Sequence, residues 1–460
     1  MNKTIKKLLC AGLTVAMVFQ IAGCEKAKTG QDQNKITLRL WTKMTQDADA
    51  ASIEYHDAWM SDLQAKFPDV IFEEAITPAG TDYRQEYDKA LMAGTAPAFM
   101  ARFSYTDIPT RMKNGTIADI TRYVENWDLK EEGKIMTTFD EAISSDGKWY
   151  ALPYKAYTQA CLVNKKLLRE NGEDTEKLPE TWQEFAEQGQ RITDFSIPRV
   201  GYALVGMDWC AWPFTAWVWA AGGEMVRKND DGTYKIAFNE PEGVDAAVFM
   251  NEMIWKYKMT QKDVLMSMSE LEKLAQSETA VYSWNQLSVL SDKAIQTYSL
   301  EPSDFSVMAM PVKDASIERP ALAGGEVITF NPKLTDKELE KAVEVAKYMY
   351  FSEEQNQIYF DYVRKNGRFD TTVPGRIDLY EKKLEANVRL TESMREELVL
   401  QSKTAKPEPY CPHWSDIKTE LVIPLQEIFL EENITREEVQ KLLDDCAQKL
   451  YDLYPDTFTE

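Results

Sequence analysis

The stretch that organises this chain reads Gly147-Lys148-Trp149-Tyr150-Ala151-Leu152-Pro153-Tyr154, with Val163-Asn164-Lys165-Lys166-Leu167-Leu168 shortly after it. On both sides of it, segments whose apolar residues alternate as in strands are followed by segments whose apolar residues are spaced as in helices. Residues 35–41 alternate apolar and polar side chains. Residues 339–349 place apolar side chains at helical spacing after the capping box of residues 335–338. This alternation predicts α/β layers with largely parallel sheets.

The first residues have the composition of a secretory signal. Residues 1–7 carry three lysines and no acid, residues 8–19 are almost wholly apolar, and three small or apolar residues precede Cys24. This order is typical of a cleaved signal, whereas a membrane-spanning helix needs about 20 apolar residues. The ending resembles a bacterial lipobox, so we expect residues 1–23 to be removed and Cys24 to be acylated, with palmitate for example. Residues 24–34 would then tether the protein to the extracytoplasmic face of the cell membrane.

Charge and cysteine usage narrow the possible partners. The net charge of −22 argues against nucleic-acid binding, which needs a basic surface to neutralise phosphates. The cysteines after Cys24 are far apart and form no Cys-x-x-Cys pair, and the two histidines have no zinc-ligand spacing. We expect no metal and no cofactor. Buried thiols are preferred over disulfides at the remaining cysteines, although an oxidising compartment leaves their state open: Cys161, Cys210, Cys411 and Cys446.

Several further segments resemble, in order and spacing, the extracellular solute-binding proteins of the family that includes maltose-binding protein. The resemblance covers nearly all of the chain after the tether, although each segment is weak evidence by itself. Two departures are Ala98, where the family usually has an acid, and residues 277–281, where it usually has a glycine. The matching segments are residues 91–98, 114–120, 147–154, 163–168, 178–185, 220–224 and 238–244.

The resemblance implies a periplasmic-binding-protein-like fold of two α/β lobes with a ligand cleft between them. By the order of the segments, residues 35–154 and 312–355 would form the N-terminal lobe, and residues 155–311 and 356–460 the C-terminal lobe. It also implies a monomer that captures a carbohydrate and delivers it to the permease subunits of an ABC transporter. The expected carbohydrate is an oligosaccharide.

A sugar ring has an apolar C–H face and a rim of hydroxyl groups, so its site needs flat aromatic rings together with amides, carboxylates and arginines. The sequence holds 12 Trp and 21 Tyr. Open α/β sheets bind ligands at strand ends, and Trp41 lies at such an end. We select candidate ligand-binding residues either by their position in a predicted loop or by the resemblance. They are Trp41, Arg102, Phe103, Tyr154, Trp209, Trp212, Trp284, Asn285, Gly325, Glu326 and Trp414.

Each candidate has a plainer alternative. Aromatic side chains at helical spacing are usually core, as we expect for Trp217 and Trp219 inside a predicted helix. Arg102 could form a surface ion pair, and the glycine pair that includes Gly325 could mark a tight turn. Trp209 and Trp212 are expected in the loop before a helix, where they are free to face the cleft.

Two other functions compete with sugar import. A secreted glycoside hydrolase or lyase would need two carboxylates a few ångströms apart, and no catalytic motif stands out. A binder of the same fold could instead take a metal ion, an amino acid or a phosphate ester. Two histidines disfavour a transition metal, and no Gly-rich helix start offers a phosphate site. We therefore expect no catalytic residue.

Overall fold

The computed structural model describes residues 35–77, 83–145, 147–207 and 209–459, so Cys24 and the predicted signal lie outside the described residues. The fold is mixed α/β. Within these ranges no helix combines the length and apolarity needed to cross a bilayer. The strands are β1 (Ile36–Lys43), β2 (Val70–Ile76), β3 (Phe99–Ser104), β4 (Ser144–Ser145), β5 (Lys148–Trp149), β6 (Ala151–Asn164), β7 (Val200–Ala203), β8 (Val226–Lys228), β9 (Tyr234–Ile236), β10 (Ala280–Asn285), β11 (Phe305–Met308), β12 (Leu322–Phe330), β13 (Val373–Pro374) and β14 (Lys406–Pro407).

Helices cover the sheets, and their starts carry the side-chain caps that the sequence predicts. Thr181 and Thr335 both form complete capping boxes, whereas Ser352 caps the next helix through its hydroxyl alone. The helices are α1 (Ala50–Lys66), α2 (Tyr83–Ala93), α3 (Ile108–Lys113), α4 (Thr121–Val124), α5 (Asp128–Glu131), α6 (Asp140–Ile143), α7 (Lys165–Glu170), α8 (Trp182–Ile192), α9 (Ala211–Ala220), α10 (Pro241–Trp255), α11 (Met268–Gln276), α12 (Asp292–Tyr298), α13 (Asp336–Phe351), α14 (Glu353–Asn366), α15 (Tyr380–Ala386), α16 (Glu392–Thr404), α17 (Trp414–Glu420), α18 (Val422–Leu430) and α19 (Arg436–Leu453).

The long strand β6 joins the two halves of the molecule. Its first half pairs with β12, with Ala151 opposite Thr329 and Lys155 opposite Glu326. Its second half pairs with β10 and β11 on either side, with Val163 opposite both Tyr282 and Ser306. Because one continuous strand serves both sheets, the two lobes share a hydrogen-bonded backbone at their junction.

These pairings are antiparallel, so the prediction of largely parallel sheets is wrong. Parallel pairing does occur between β1 and β2, between β7 and β10, and between β12 and β14. The pairs that hold the centre of the molecule, β6 with β12, β10 and β11 and β12 with β3, all run antiparallel. The reason is that β12 carries the chain back alongside β6, in the opposite direction, when it returns from the second lobe.

Separate apolar cores lie on the two sides of this junction. The first core packs α13 and α1 against β1, β3 and β12. The second core packs α8, α9, α10, α17, α18 and α19 against the far half of β6 and β10. A third cluster lies at the junction itself and includes side chains from α2, β6, α12 and α16. The predicted two-lobed α/β architecture is therefore confirmed.

The lobe boundaries remain a proposal, and contacts of α14 bear on them. Gln355 Nε2 donates to the Trp59 carbonyl at 3.2 Å and to the Asp62 carboxylate at 2.7 Å. Lys365 and Glu54 form an ion pair at 2.6 Å. Since all these contacts join α14 to α1, we propose that the N-terminal lobe continues through α14 and does not stop at residue 355.

Gly325 lies where the crossing strands are most closely packed. A Cβ at this position would overlap the ring of Phe139 and lie 2.7 Å from the Lys155 carbonyl oxygen. Phe139 in turn stacks on Tyr105 at a centroid distance of 4.1 Å. Packing between the strands therefore explains why this position is a glycine. Close approach of a ligand to the backbone is not needed to explain it.

We predict that Gly325→Ala destabilises the protein by about 1–3 kcal/mol, the usual cost of inserting a methyl group into a full core. Urea unfolding followed by tryptophan fluorescence measures this cost. Phe139→Leu combined with Gly325→Ala should recover part of it. An unchanged urea midpoint for the single variant would contradict the close packing of these strands.

Candidate ligand-binding cleft

A row of aromatic rings runs from β6 to the start of α9, and we propose that it lines the ligand site between the lobes, which we call the cleft. Trp209 lies 5.9 Å from Trp212, which makes an edge-to-face contact with Trp284 at 4.6 Å. Tyr157 of β6 contacts Trp212 from the other side at 6.5 Å. Exposure falls along the row, from 45% at Trp209 through half-buried Trp212 to a fully buried Trp284. Trp209 and Trp212 can thus cover a sugar face, while Trp284 supports them from behind.

Charged side chains line the wall of the cleft formed by the first lobe. Lys155 Nζ lies 3.2 Å from a Glu326 carboxylate oxygen. The two residues are cross-strand neighbours on β6 and β12, which brings their side chains together. Arg84 Nε donates to both oxygens of Asp107, at 3.0 and 2.9 Å. These groups supply the donors and acceptors that a rim of hydroxyl groups requires.

Tyr83 connects these two ion pairs. The Arg102 guanidinium lies 4.9 Å from the centre of the Tyr83 ring, close enough for a cation–π contact. Burial, with the nearby carboxylates of Asp107 and Glu326, raises the pKa of Tyr83 to about 12. Burial and the charge of Glu326 also raise the pKa of Tyr157. Both phenols therefore stay protonated at neutral pH and can donate a hydrogen bond to a ligand.

Three of the predicted residues occupy β-bulges, where one strand carries an extra residue. Between the paired residues Leu40 and Lys43, β1 has one residue more than the facing stretch of β2. Trp41 lies in the bulge that this extra residue makes. Arg102 is the extra residue of β3 opposite β12. Tyr154 is the extra residue of β6 opposite the same strand. Bulges are frequent next to binding sites because they redirect side chains out of the regular pleat.

The structure places other predicted residues in the core. The Trp414 ring has no accessible surface and packs in the second-lobe core, so it cannot cover a sugar in this conformation. Phe103 is equally buried, between Tyr87 and the Arg111 guanidinium. Asn285 is buried beside Trp284, with its Oδ1 accepting from the next backbone N–H. These side chains shape the walls of the cleft, and the predicted direct contact of Trp414 is corrected on this ground.

Two expectations about local structure also change. Trp212 lies in the first turn of α9 and not in the loop before it, so a helix fixes its position. Trp41 is half-buried, with its ring edge against Tyr87 at 6.4 Å. The sequence placed Tyr83 on a helix face together with Tyr87 and did not single out Tyr157 or Lys155 as binding residues. Strand alternation from Lys155 to Tyr157 was the available signal for the last two.

Two α/β lobes that are joined through β6 and β12 have the architecture expected of a solute-binding protein. A model of the bacterial extracellular solute-binding protein family matches residues 52–356. The chain belongs to this family.

Relatives of known cargo are similar over only part of their length. The maltotriose-binding protein of Pyrococcus abyssi is 27% identical over 237 residues, 48% of this chain and 47% of that protein. The sn-glycerol-3-phosphate-binding periplasmic protein UgpB of Shigella flexneri is 26% identical over 185 residues, 37% of this chain and 41% of that protein. The chain thus spans about half the length of these relatives.

Solved structures share the fold over nearly the whole chain. A solute-binding protein from Thermotoga lettingae bound to α-D-tagatose superposes with a TM-score of 0.71 at 19% identity, covering 91% of this chain and 99% of that one. A substrate-binding protein from Listeria monocytogenes in complex with cycloalternan gives a TM-score of 0.71 at 18% identity, covering 92% and 99%. At these identities the likeness establishes the fold and no more.

We predict that Trp414→Ala lowers the stability of the protein much more than Trp209→Ala does. Truncating a buried tryptophan costs about 3–5 kcal/mol, so Trp414→Ala should lower the melting temperature by several degrees. Trp209→Ala removes a half-exposed ring and should leave the melting temperature almost unchanged. Thermal unfolding of both ligand-free variants tests this contrast. Equal losses would show that Trp209 is structural.

Proposed function

We propose that this protein is the extracytoplasmic substrate-binding component of an ABC importer, and that its cargo is an oligosaccharide. The observation that supports the cargo most directly is the row of rings formed by Trp209, Trp212 and Tyr157. An oligosaccharide presents both an apolar face and hydroxyl groups, and the cleft offers a partner for each. The sugar cargo of the maltotriose-binding relative agrees with this proposal.

A phosphate ester is the second candidate cargo, because relatives that bind sn-glycerol-3-phosphate match part of the chain. The electrostatics of the cleft disfavour it. Lys155 and Arg84 each already face a carboxylate, Glu326 and Asp107 respectively, so their positive charge is largely neutralised. A phosphate group would also approach two carboxylates at short range, which costs free energy.

Ligand screening tests the cargo. The protein expressed without residues 1–24 should show a higher melting temperature with maltotriose or another oligosaccharide than with sn-glycerol-3-phosphate, because binding to the native state alone stabilises it. Trp209→Ala should then weaken the affinity for that sugar by about one to two decades, since burying a large apolar side chain is worth roughly 1.5–3 kcal/mol.

Phe195→Ala is the matched control for calorimetric titration, because Phe195 is as exposed as Trp209 but lies on the surface loop after α8. An unchanged affinity in folded Trp209→Ala would mean that the cleft is not the binding site. A higher affinity for sn-glycerol-3-phosphate than for any oligosaccharide would mean that the cargo is a phosphate ester.

We also propose that the protein binds its cargo without chemical turnover. Release of cleaved glycan faster than in buffer alone would overturn this proposal.

Anchoring forms a separate part of the proposal and rests on the sequence of residues 1–24. We predict that Cys24→Ala abolishes acylation and releases or misprocesses the protein. Cell fractionation measures this, with Cys10→Ala as the matched control, because Cys10 belongs to the segment that is removed. Unchanged membrane retention of Cys24→Ala would refute the lipid anchor.

A further inference from the structure

A second cavity lies in the first lobe, between α1 and α14 and beside the bulge of β6. Its volume is about 660 Å³, which is in the range of roughly 300–1,000 Å³ typical of small-molecule sites. None of the residues predicted from the sequence lines it except Tyr154. Seven Phe, Tyr and Trp side chains contribute to its walls: Tyr55, Trp59, Tyr154, Tyr350, Tyr359, Phe360 and Tyr362.

Hydroxyl groups that lack protein partners converge on this cavity. Within the described ranges, the hydroxyls of Tyr55, Tyr154 and Tyr350 make no hydrogen bond. The rings of Tyr154 and Tyr350 lie 4.9 Å apart, and burial together with the neighbouring phenols raises the pKa of both Tyr55 and Tyr350. Gln355, only 2% exposed, also lines the cavity, and its Oε1 has no partner among the described residues. Buried polar atoms are usually paired, so a ligand that supplies hydroxyl groups would satisfy them.

The charges around the cavity cancel in pairs. Lys383 lies 2.8 Å from Asp370, whose carboxylate also accepts from the Tyr359 hydroxyl. Burial would raise the pKa of Asp370, but the Lys383 ammonium and these hydrogen bonds lower it overall, so it stays ionised opposite the lysine. Lys155, the other lysine of the lining, lies 3.2 Å from Glu326. A neutral ligand therefore fits this cavity better than an anion or a cation.

The cavity adjoins the cleft. Lys155, which pairs with Glu326 in the cleft, also contributes to the cavity lining. Thr42 and Met44 line it as well, directly after the predicted cleft residue Trp41. The geometry points to a second carbohydrate-binding subsite in this cavity, which accepts a neutral sugar unit at one end of the oligosaccharide held in the cleft. This inference rests on the proposed function, because it assigns the same cargo to both spaces.

Fluorine NMR of protein labelled with 3-fluorotyrosine locates the sugar. Tyr55→Phe and Tyr350→Phe assign two cavity resonances, and Tyr83→Phe and Tyr157→Phe assign two cleft resonances. Addition of maltoheptaose should shift both sets. Shifts confined to the cleft would overturn the subsite and leave the sugar-binding function standing. No shift of either set with maltoheptaose or with any other oligosaccharide of the thermal screen would overturn both. Shifts of the cavity set with choline, and none there with sugar, would also overturn the carbohydrate assignment.

Calorimetry measures the strength of the subsite. Tyr55→Phe combined with Tyr350→Phe keeps both rings and removes two hydroxyls, so the affinity for maltoheptaose should fall about tenfold. The affinity for maltose, which the cleft can hold alone, should change less than about twofold. Tyr298→Phe is the matched control, because Tyr298 is exposed at the end of α12. An equal loss for maltose and maltoheptaose would mean that the hydroxyls act on folding and not on a subsite, which the ligand-free melting temperature would register.

Discussion

Backbone pairing along β6 is the constraint on which the rest of this structure depends. The strand runs through both lobes, and β12 returns beside it in the opposite direction. A third segment joins them, because Val373 of β13 pairs with Ala156 and the Gly375 amide donates to the Tyr154 carbonyl at 2.6 Å. Three adjacent crossings limit the lobes to bending and twisting about one line. Hinge motion at such element ends is the usual way for two lobes to close on a ligand.

Irregularities in these strands determine where the binding groups lie. A regular pleat would send Tyr154 and Lys155 to opposite faces. The bulge of β6 instead lets both side chains line one cavity, while Lys155 still reaches Glu326 of β12. Arg102 occupies a bulge on the other side of β12 and comes to lie over Tyr83. In the proposed function the crossing strands would act as the hinge and also carry candidate binding groups, so a change in lobe angle would change the cleft directly.

Much of the fold could be predicted from the sequence, because strands, capping boxes and the order of segments are local signals. Thr181 and Thr335 start helices where expected, since a cap needs only residues within one turn. The candidate site was harder. Trp209 and Trp414 look alike in sequence, yet one is exposed and the other buried, because burial depends on helices far away in the chain. Bulges leave no sequence signature, so the cavity behind Tyr154 could not be anticipated.

Polar contacts between segments that are distant in sequence indicate how closure can be reversible. The Tyr105 hydroxyl donates to the Ala323 carbonyl at 2.9 Å and accepts from the Glu408 amide at 2.7 Å. The Tyr410 hydroxyl donates to the Thr138 carbonyl at 2.6 Å. Each such bond is worth only about 1 kcal/mol net, because water replaces it on opening. Because these contacts are weak, a ligand that touches both lobes can shift the equilibrium between the open and closed forms. The size of that shift is set by the difference between its affinities for the two forms. The apolar cores on either side of β6 do not need to rearrange, so the free energy of binding is available for closure.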